Sequence, residues 1–342
     1  MSATMTRRGM LVGSTSLLLG AFVIPGCQGA ASEQLALQQV VRHVPALGTR
    51  VSFLVRHGDV GLAQEAIRKA TKAVFAVHEC MTLHEPSPLT HLNAQGAWRA
   101  VVVPPSLLAV LLASQRLHGV TNGLFDATLG TAIQEFTAMT FQQGHVPSNK
   151  AASALVEGAG WDKVMVDKAG QSVRFSHPRT ALDFNGIAKG YAVDQAVGIL
   201  KSAGLQNFLV NAGGDLYAAG RPSPQAKGWN IRVQGQQPGE QPPARLMLSD
   251  QAVATSGNRF QKQLANGQLA QHLLHPERVL PTNRILSSTV VAKTAMEADA
   301  LATALFVGER GAMARTLEQV PGAKGYLVDS HAGFVALSKE IQ

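Results

Sequence analysis

Residues 182–194 read LDFNGIAKGYAVD, a pattern that predicts a strand turning at Asn185 into a helix. The first backbone N–H groups of such a helix, together with the Asp183 carboxylate, would form the floor of an anion or metal site. Lys189 supports this interpretation, because the helix dipole disfavours a cation in the first turn unless an anion faces it. The alternative is an ordinary strand-to-helix turn with a surface lysine.

The elements on either side of this stretch follow no strict strand–helix alternation. The sequence predicts helices at 61–81, 104–120, 151–161, 187–203 and 295–308, followed by one further helix before the C-terminal strands. Strand patterns include 47–57, 162–167, 171–177, 180–184, 207–220 and 287–292. Residues 85–98 are rich in turn formers and predict a connector, and 234–245 predicts a surface loop. We therefore predict an α+β, or mixed α/β, fold in which residues 31–342 form one catalytic domain.

Composition and charge limit the possible partners of the chain. Of 342 residues, 46% are hydrophobic and 15% are charged, which is typical of a globular protein. The net charge is +8, but the basic residues are scattered and aromatic residues make up only 5%. A nucleic-acid groove would require clustered cations interleaved with stacking rings, so we expect no nucleic-acid partner. The charge suits an anionic small molecule, an acidic protein or simply a solvated surface.

The N-terminus predicts export. Arg7 and Arg8 precede an apolar run that ends at Ile24, and this run is shorter than the roughly 20 residues of a membrane span. Residues 1–30 are therefore expected to be an export signal of the twin-arginine type. Cys27 lies where a lipoprotein would be cleaved and lipidated, and plain cleavage nearby is the alternative. The expected location is the periplasm or cell envelope, with a lipid anchor in the membrane if Cys27 is lipidated. Cys80 then has no second cysteine for a disulfide framework.

Other candidate groups lie further along the chain. Asp299 and Thr303 are four residues apart and share one helix face, where their oxygens suit Mg²⁺. A carboxylate favoured near a helix start by the dipole is the alternative interpretation of Asp299. The glycines of NAGGD, residues 211–215, allow a close approach to a ligand but also a simple tight turn. The spacing of His272 and His275 does not favour zinc, and either imidazole could act as a base. No dinucleotide or P-loop fingerprint occurs.

Taken together, the blocks LGTRVSF, NGLFDATLG, GIAKGYAVD, VNAGGDLYAAG, ATSGNRF and ADALATALF resemble those of the FAD:protein FMN transferase family, the ApbE-type flavin transferases. The resemblance extends from about Leu47 to Val307. It implies a single T-fold-like α/β domain that binds FAD as a substrate together with Mg²⁺. Members of this family cleave the pyrophosphate of FAD, attach FMN through a phosphoester to a threonine of a partner protein, and release AMP. For this chain the expected partner is an exported acceptor flavoprotein.

The resemblance also assigns roles to individual residues. Flavin-nucleotide contacts are implied at Leu47, Leu124, Phe125, Asp126, Asp183 and Lys189. Metal ligation is implied for Asp299, Thr303 and the backbone carbonyl of Gly186. His272 is implied to activate the acceptor hydroxyl. Residues 272–279 read HLLHPERV where the family pattern is H-x-x-D-P-x-T-G, and this departure supports one alternative, a flavin-binding lipoprotein without transfer activity. A second alternative, which would use the same site, is a Mg²⁺-dependent FAD pyrophosphatase that uses water.

Overall fold

A computed structural model describes residues 37–144, 146–233, 244–257, 262–263, 269–270, 273–277 and 284–337. These residues belong to one compact unit that spans Leu35–Gln342. The predicted export signal with Cys27, and the predicted base His272, lie outside the described residues. Among the described residues, no helix has both the length and the apolar character needed to cross a membrane.

The described strands are β1 Gln38–Ala46, β2 Thr49–His57, β3 Val101–Val102, β4 Val164–Asp167, β5 Ser172–Phe175, β6 Phe208–Ala212, β7 Asp215–Ala219, β8 Trp229–Arg232, β9 Arg245–Leu248, β10 Gln251–Gly257, β11 Lys262–Gln263, β12 Leu269–Ala270, β13 Ile285–Ala292, β14 Lys324–Asp329 and β15 Gly333–Ala336. The α-helices are α1 Val60–Met81, α2 Pro88–Gln95, α3 Pro105–Val120, α4 Gly130–Thr137, α5 Asn149–Leu155, α6 Ala188–Ser202, α7 Ala295–Val307 and α8 Arg310–Glu318. Single π or 3₁₀ turns occupy Ala138–Gln142, Val156–Gly158 and Trp161–Lys163.

Eight of the described strands form one antiparallel sheet in the order β1-β2-β6-β7-β10-β13-β14-β15. Both faces of this sheet are covered, and the side chains alternate between them. Tyr217 and Ala219 pack into the large core on the helix side, whereas Leu216 and Ala218 pack into a second core that contains residues of β8 and β9. The predicted mixed α/β class is therefore confirmed.

Helices α6 and α7 cross closely on the helix side of the sheet, and this crossing positions the site. Helix α7 is almost entirely buried, and most of its residues are alanine, leucine or another apolar type. A Cβ atom on Gly190 of α6 would collide with the carbonyl group of Ala295 and would lie 2.7 Å from Met296 Cα. Only glycine therefore permits the two backbones to approach this far.

Three predictions about local structure differ from the observed elements. Residues 85–98 contain helix α2, because Ser87 and Thr90 form a capping box around Pro88 at the first helical position. Residues 180–184 are not a strand: only Ala181 makes a β-bridge, and the Asp183 side chain instead accepts a hydrogen bond from the Asn185 N–H. The stretch 207–220 is two strands, β6 and β7, joined by a tight turn rather than one strand.

Candidate functional site

A cavity of about 1850 Å³ lies at the end of the main sheet where α6 begins. Eight of the predicted site residues line it: Leu124, Phe125, Asp126, Asp183, Gly186, Lys189, Asp299 and Thr303. Leu47 is not among the lining residues; it lies in the β1–β2 turn with φ of 56°, and its neighbour Thr49 lines the cavity. The structure thus brings together most of the residues that the sequence suggested, drawn from distant parts of the chain.

Lys189 lies between two buried carboxylates. Its Nζ atom is 2.9 Å from Asp215 Oδ2 and 3.4 Å from both carboxylate oxygens of Asp299. Both aspartate side chains are 4% exposed, whereas the lysine side chain is 31% exposed and faces the cavity. The Asp215 Oδ2 atom has no hydrogen bond among the described residues, although the ammonium group is close to it. One cation therefore faces two buried carboxylates, so one negative charge is uncompensated when both are ionised.

Burial and the neighbouring charges shift the pKa values of Asp299 and Lys189. Burial, and then the adjacent Asp215 carboxylate, raise the pKa of Asp299 above its ordinary value, and Lys189 only partly opposes the rise. Burial alone would lower the pKa of Lys189, but the carboxylates of Asp215 and Asp299 raise it above its ordinary range. The lysine thus stays charged, and the ionised form of Asp299 would be stabilised by a further cation.

Thr303 and Gly186 meet on the other side of Asp299. A Cβ atom on Gly186 would lie 3.0 Å from Thr303 Oγ1 and 3.3 Å from Phe125 Cε2, so the corner that precedes α6 lies close to the threonine. Thr303 Oγ1 is also 3.3 Å from the hydroxyl of Ser256, at the end of β10. Because Asp299 and Thr303 are one helical turn apart, both oxygens face the corner that precedes α6.

Helices α6 and α7 cap each other at their N-termini. The N–H of Gly190 in α6 donates to Asp299 Oδ2 of α7 at 3.1 Å. In return, Asp194 of α6 accepts hydrogen bonds from the N–H groups of Ala295 and Met296, at 2.8 and 2.9 Å. Each carboxylate satisfies N–H groups that have no partner within their own helix. This reciprocal capping fixes the position of Asp299 relative to the start of α6.

Two other predicted contact residues are held by local hydrogen bonds. Asp183 accepts from the N–H of Asn185 at 2.7 Å and from its side-chain amide at 3.2 Å. Burial nevertheless raises the pKa of Asp183 above its ordinary value. Asp126 accepts from the N–H and hydroxyl of Thr128, at 2.8 and 2.7 Å, and its second oxygen lies 3.7 Å from His118 Nδ1. Both carboxylates are therefore pre-oriented at the cavity wall.

The residues around Asp299 fit a divalent cation. Its carboxylate, the Thr303 hydroxyl and the Gly186 backbone would offer hard oxygen ligands, the type that Mg²⁺ prefers, and a second buried carboxylate adds negative charge. No group of three His, Cys, Asp or Glu residues suited to a metal occurs in the described ranges. A Mg²⁺ site with one carboxylate ligand would not need such a group, since Mg²⁺ usually completes its coordination with water and substrate phosphate.

Comparison with known proteins places this arrangement in a family. A model of the ApbE family matches residues 47–332, which includes every described element around the cavity. The chain belongs to the ApbE family.

Individual ApbE proteins are similar over nearly the whole chain. The FAD:protein FMN transferase of Chlamydia trachomatis serovar D is 27% identical over 306 residues, which cover 87% of this chain and 91% of that protein. The FAD:protein FMN transferase of Haemophilus influenzae is 30% identical and covers 80% of each chain. The crystal structure of the ApbE protein of Thermotoga maritima superimposes with a TM-score of 0.78 at 25% identity, covering 87% of this chain and 97% of the other.

Sequence patterns assigned no individual role to three residues of this ApbE site. Asp215 forms the closest ion pair of Lys189, and Asp194 caps α7. Ser256 touches Thr303. Asp215 ends the NAGGD stretch, so the signal was present, but a glycine pair before a carboxylate is equally typical of a turn. Asp194 and Ser256 carry no local signal, because their partners lie 101 and 47 residues away.

Proposed function

We propose that the protein is a Mg²⁺-dependent FAD:protein FMN transferase that modifies a threonine of an exported acceptor protein and releases AMP. The coarser activity, transfer of FMN from FAD to protein, is supported by full-length similarity to relatives that carry this name. The single observation that carries the finer proposal is the meeting of Asp299, Thr303 and Gly186 beside Lys189 in one cavity.

The reaction exchanges the phosphoanhydride bond of the FAD pyrophosphate for a phosphoester bond to the acceptor. The acceptor hydroxyl oxygen forms a bond to the phosphorus of the FMN half of FAD, and the bond from that phosphorus to the bridging oxygen breaks. The electron pair of the broken bond leaves with AMP, and the hydroxyl proton passes to a base. Such transfers depend on charge neutralisation and in-line positioning more than on covalent participation by the enzyme.

Residues of this chain would supply those two requirements. Lys189 places a positive charge at the cavity wall, where it can bind a phosphate oxygen. Asp299, Thr303 and the backbone of Gly186 would hold the metal, which would supply further charge neutralisation on the phosphates. Asp183 and Asp126, each fixed by local hydrogen bonds, would orient the rest of the nucleotide. His272 is proposed from the sequence alone as the base that takes the hydroxyl proton.

We also propose that the protein works outside the cytoplasm. Residues 1–30 support this proposal through the pair Arg7-Arg8, the short apolar run and Cys27. Expression of the full chain in a bacterial host, followed by fractionation and mass analysis of the N-terminus, tests it. Lysines in place of Arg7 and Arg8 should retain the protein in the cytoplasm, and Cys27→Ala should release it from the membrane fraction. An unprocessed chain in the cytoplasm would contradict the proposal.

The activity is tested with purified protein, FAD, Mg²⁺ and candidate exported flavoproteins. AMP is measured by chromatography, and the acceptor is weighed by mass spectrometry. We expect AMP and modified acceptor in equal amounts, and their loss in Asp299→Ala. The matched control is Glu297→Ala, because Glu297 lies on the same helix but pairs with Arg116 away from the cavity. Intact FAD would instead indicate a flavin carrier, and AMP without modified acceptor would indicate a pyrophosphatase.

A further inference from the structure

The two-stranded ribbon of β8 and β9 carries two arginines directly opposite each other. Arg232 of β8 pairs in register with Arg245 of β9, and Asn230 pairs with Met247. Because side chains alternate along a strand, Arg232, Arg245 and Met247 share one face of the ribbon. Both arginines are exposed, and Met247 is 55% exposed. We call these three residues the ribbon face.

Like charges directly opposite in an antiparallel pair destabilise the pair unless an anion lies between them. Within the part of the chain that the structure describes, neither guanidinium of the ribbon face has an ion pair or a side-chain hydrogen bond. Some other surface arginines have carboxylate partners, for example Arg284 with Asp329 and Arg116 with Glu297, both at 2.9 Å. Arg174 of β5 has none among the described residues, but it is not paired with a second arginine, so the direct Arg232–Arg245 pairing is what distinguishes the ribbon face. The ribbon face therefore has the features of a surface that meets an anionic partner.

The position of the ribbon face indicates that this partner extends beyond the cavity. Arg232 and its neighbour Ile231 line the cavity that contains Lys189 and Asp299. Arg245 and Met247 do not line it, so the ribbon face begins at the rim of the cavity and continues onto the outer surface. A molecule that contacts the whole face must extend out of the cavity. FAD phosphates bound at Lys189 on the cavity wall would leave Arg245 without a partner, whereas a protein segment across the rim would reach both arginines.

We propose that the ribbon face binds an acidic segment of the acceptor protein, next to the threonine that is inserted into the cavity. This proposal rests on the proposed function, because it concerns the protein substrate of the same site. Charge complementarity selects acidic residues beside the threonine, and the exposed Met247 provides apolar contact area beside the two cations.

The test is the binding of two labelled peptides, measured by fluorescence anisotropy with the full-length protein. One peptide has a central threonine flanked by aspartates, and the other has lysines in place of the aspartates. We expect the acidic peptide to bind about tenfold more tightly or better, as two exposed Arg–carboxylate pairs allow. The double variant Arg232→Glu/Arg245→Glu should reverse this preference. The control Arg174→Glu, an exposed arginine of β5 that does not line the cavity, should preserve it.

The affinity for FAD, measured by flavin fluorescence, separates the two possible anionic ligands. We expect the single variant Arg245→Glu, at the arginine that does not line the cavity, to bind FAD as tightly as the original protein does. The proposal would be overturned by equal binding of the two peptides, by no peptide binding, or by an unchanged preference in the double variant. A tenfold loss of FAD affinity in the Arg245 variant would also overturn it. The proposed function is judged separately by AMP release and acceptor mass, so FMN transfer without a peptide preference would refute the ribbon-face proposal alone.

Discussion

Replacing Gly190 by alanine is expected to separate helices α6 and α7 and to abolish most of the activity. The added Cβ atom would lie 2.7 Å from Met296 Cα and closer still to the carbonyl group of Ala295. An ordinary carbon–carbon contact is about 3.5 Å, so the two helices must shift apart by about 1 Å. Neither neighbour can rotate away, because both contacts are to backbone atoms.

The energetic cost can be estimated from this geometry. Overpacking a close-packed interior costs about 1–3 kcal/mol, and contact with backbone should place Gly190→Ala near the upper end. Alanine regains about 1 kcal/mol through its higher helix propensity, which leaves a net loss of about 2 kcal/mol in the free energy of unfolding. The shift would also move Asp299 and Thr303 relative to Gly186. A misplacement of about 1 Å at a reacting centre can reduce the rate about 100-fold.

Gly198→Ala is the matched control, because Gly198 lies on the same helix and its Cβ atom would meet nothing within 4 Å. This variant should be more stable than the original protein by about 0.5–1 kcal/mol and fully active. Urea unfolding followed by circular dichroism measures stability, and AMP release measures activity. Equal stability and equal activity of the two alanine variants would refute the close crossing of α6 and α7 as the element that positions the site.

Three further changes test other parts of the site and fold. Thr303→Val should raise the Mg²⁺ concentration needed for half-maximal AMP release, whereas Thr303→Ser, which keeps the hydroxyl, should need the same concentration as the original protein. Identical Mg²⁺ dependence of Thr303→Val and the original protein would exclude the hydroxyl as a ligand. Lys189→Met leaves Asp215 and Asp299 without their cation, so urea unfolding should show a loss of about 1–3 kcal/mol at pH 7 that shrinks when Mg²⁺ is added. Two backbone N–H groups and then a guanidinium lower the pKa of Asp329 to about 2. The contribution of the ionised Asp329 to the free energy of unfolding is therefore complete above about pH 4 and lost toward pH 2. The difference in stability between Asp329→Asn and the original protein should shrink over this range, and a constant difference would contradict the assignment.

Elements with a strong helical period could be predicted from the sequence nearly to the residue. The stretch 104–120 became α3, Pro105–Val120, and 187–203 became α6, Ala188–Ser202. In both cases local signals and tertiary packing agree, because the apolar positions recur with the helical period and turn formers mark an end. Residues 162–167 and 171–177 likewise contain the strands β4 and β5.

Elements whose local signals compete were predicted less well. Helix α2 lies between Ser87 and Gly96, begins with Pro88 and contains Asn93, so this stretch has the composition of a loop. Only the capping box of Ser87 and Thr90 indicates a helix. The one predicted strand at 207–220 is a hairpin, since Gly213 and Gly214 adopt positive φ values that end the first strand.

The candidate site was predictable where it depends on one helix face and not where it depends on the fold. Asp299 and Thr303 could be paired because four residues in a helix bring side chains together. The ion pair of Asp215 with Lys189 could not be predicted, since it requires the β6–β7 turn to meet the first turn of α6. The capping of α7 by Asp194 likewise depends on how the two helices cross.

The divalent ion itself can be located by anomalous X-ray diffraction from crystals grown with FAD and Mn²⁺ in place of Mg²⁺. An anomalous peak bonded to the carboxylate of Asp299 and the hydroxyl of Thr303, beside a phosphate of FAD, is the predicted result. A phosphate bound by Lys189 with no metal near these two oxygens, or a metal held elsewhere in the cavity, would contradict the account.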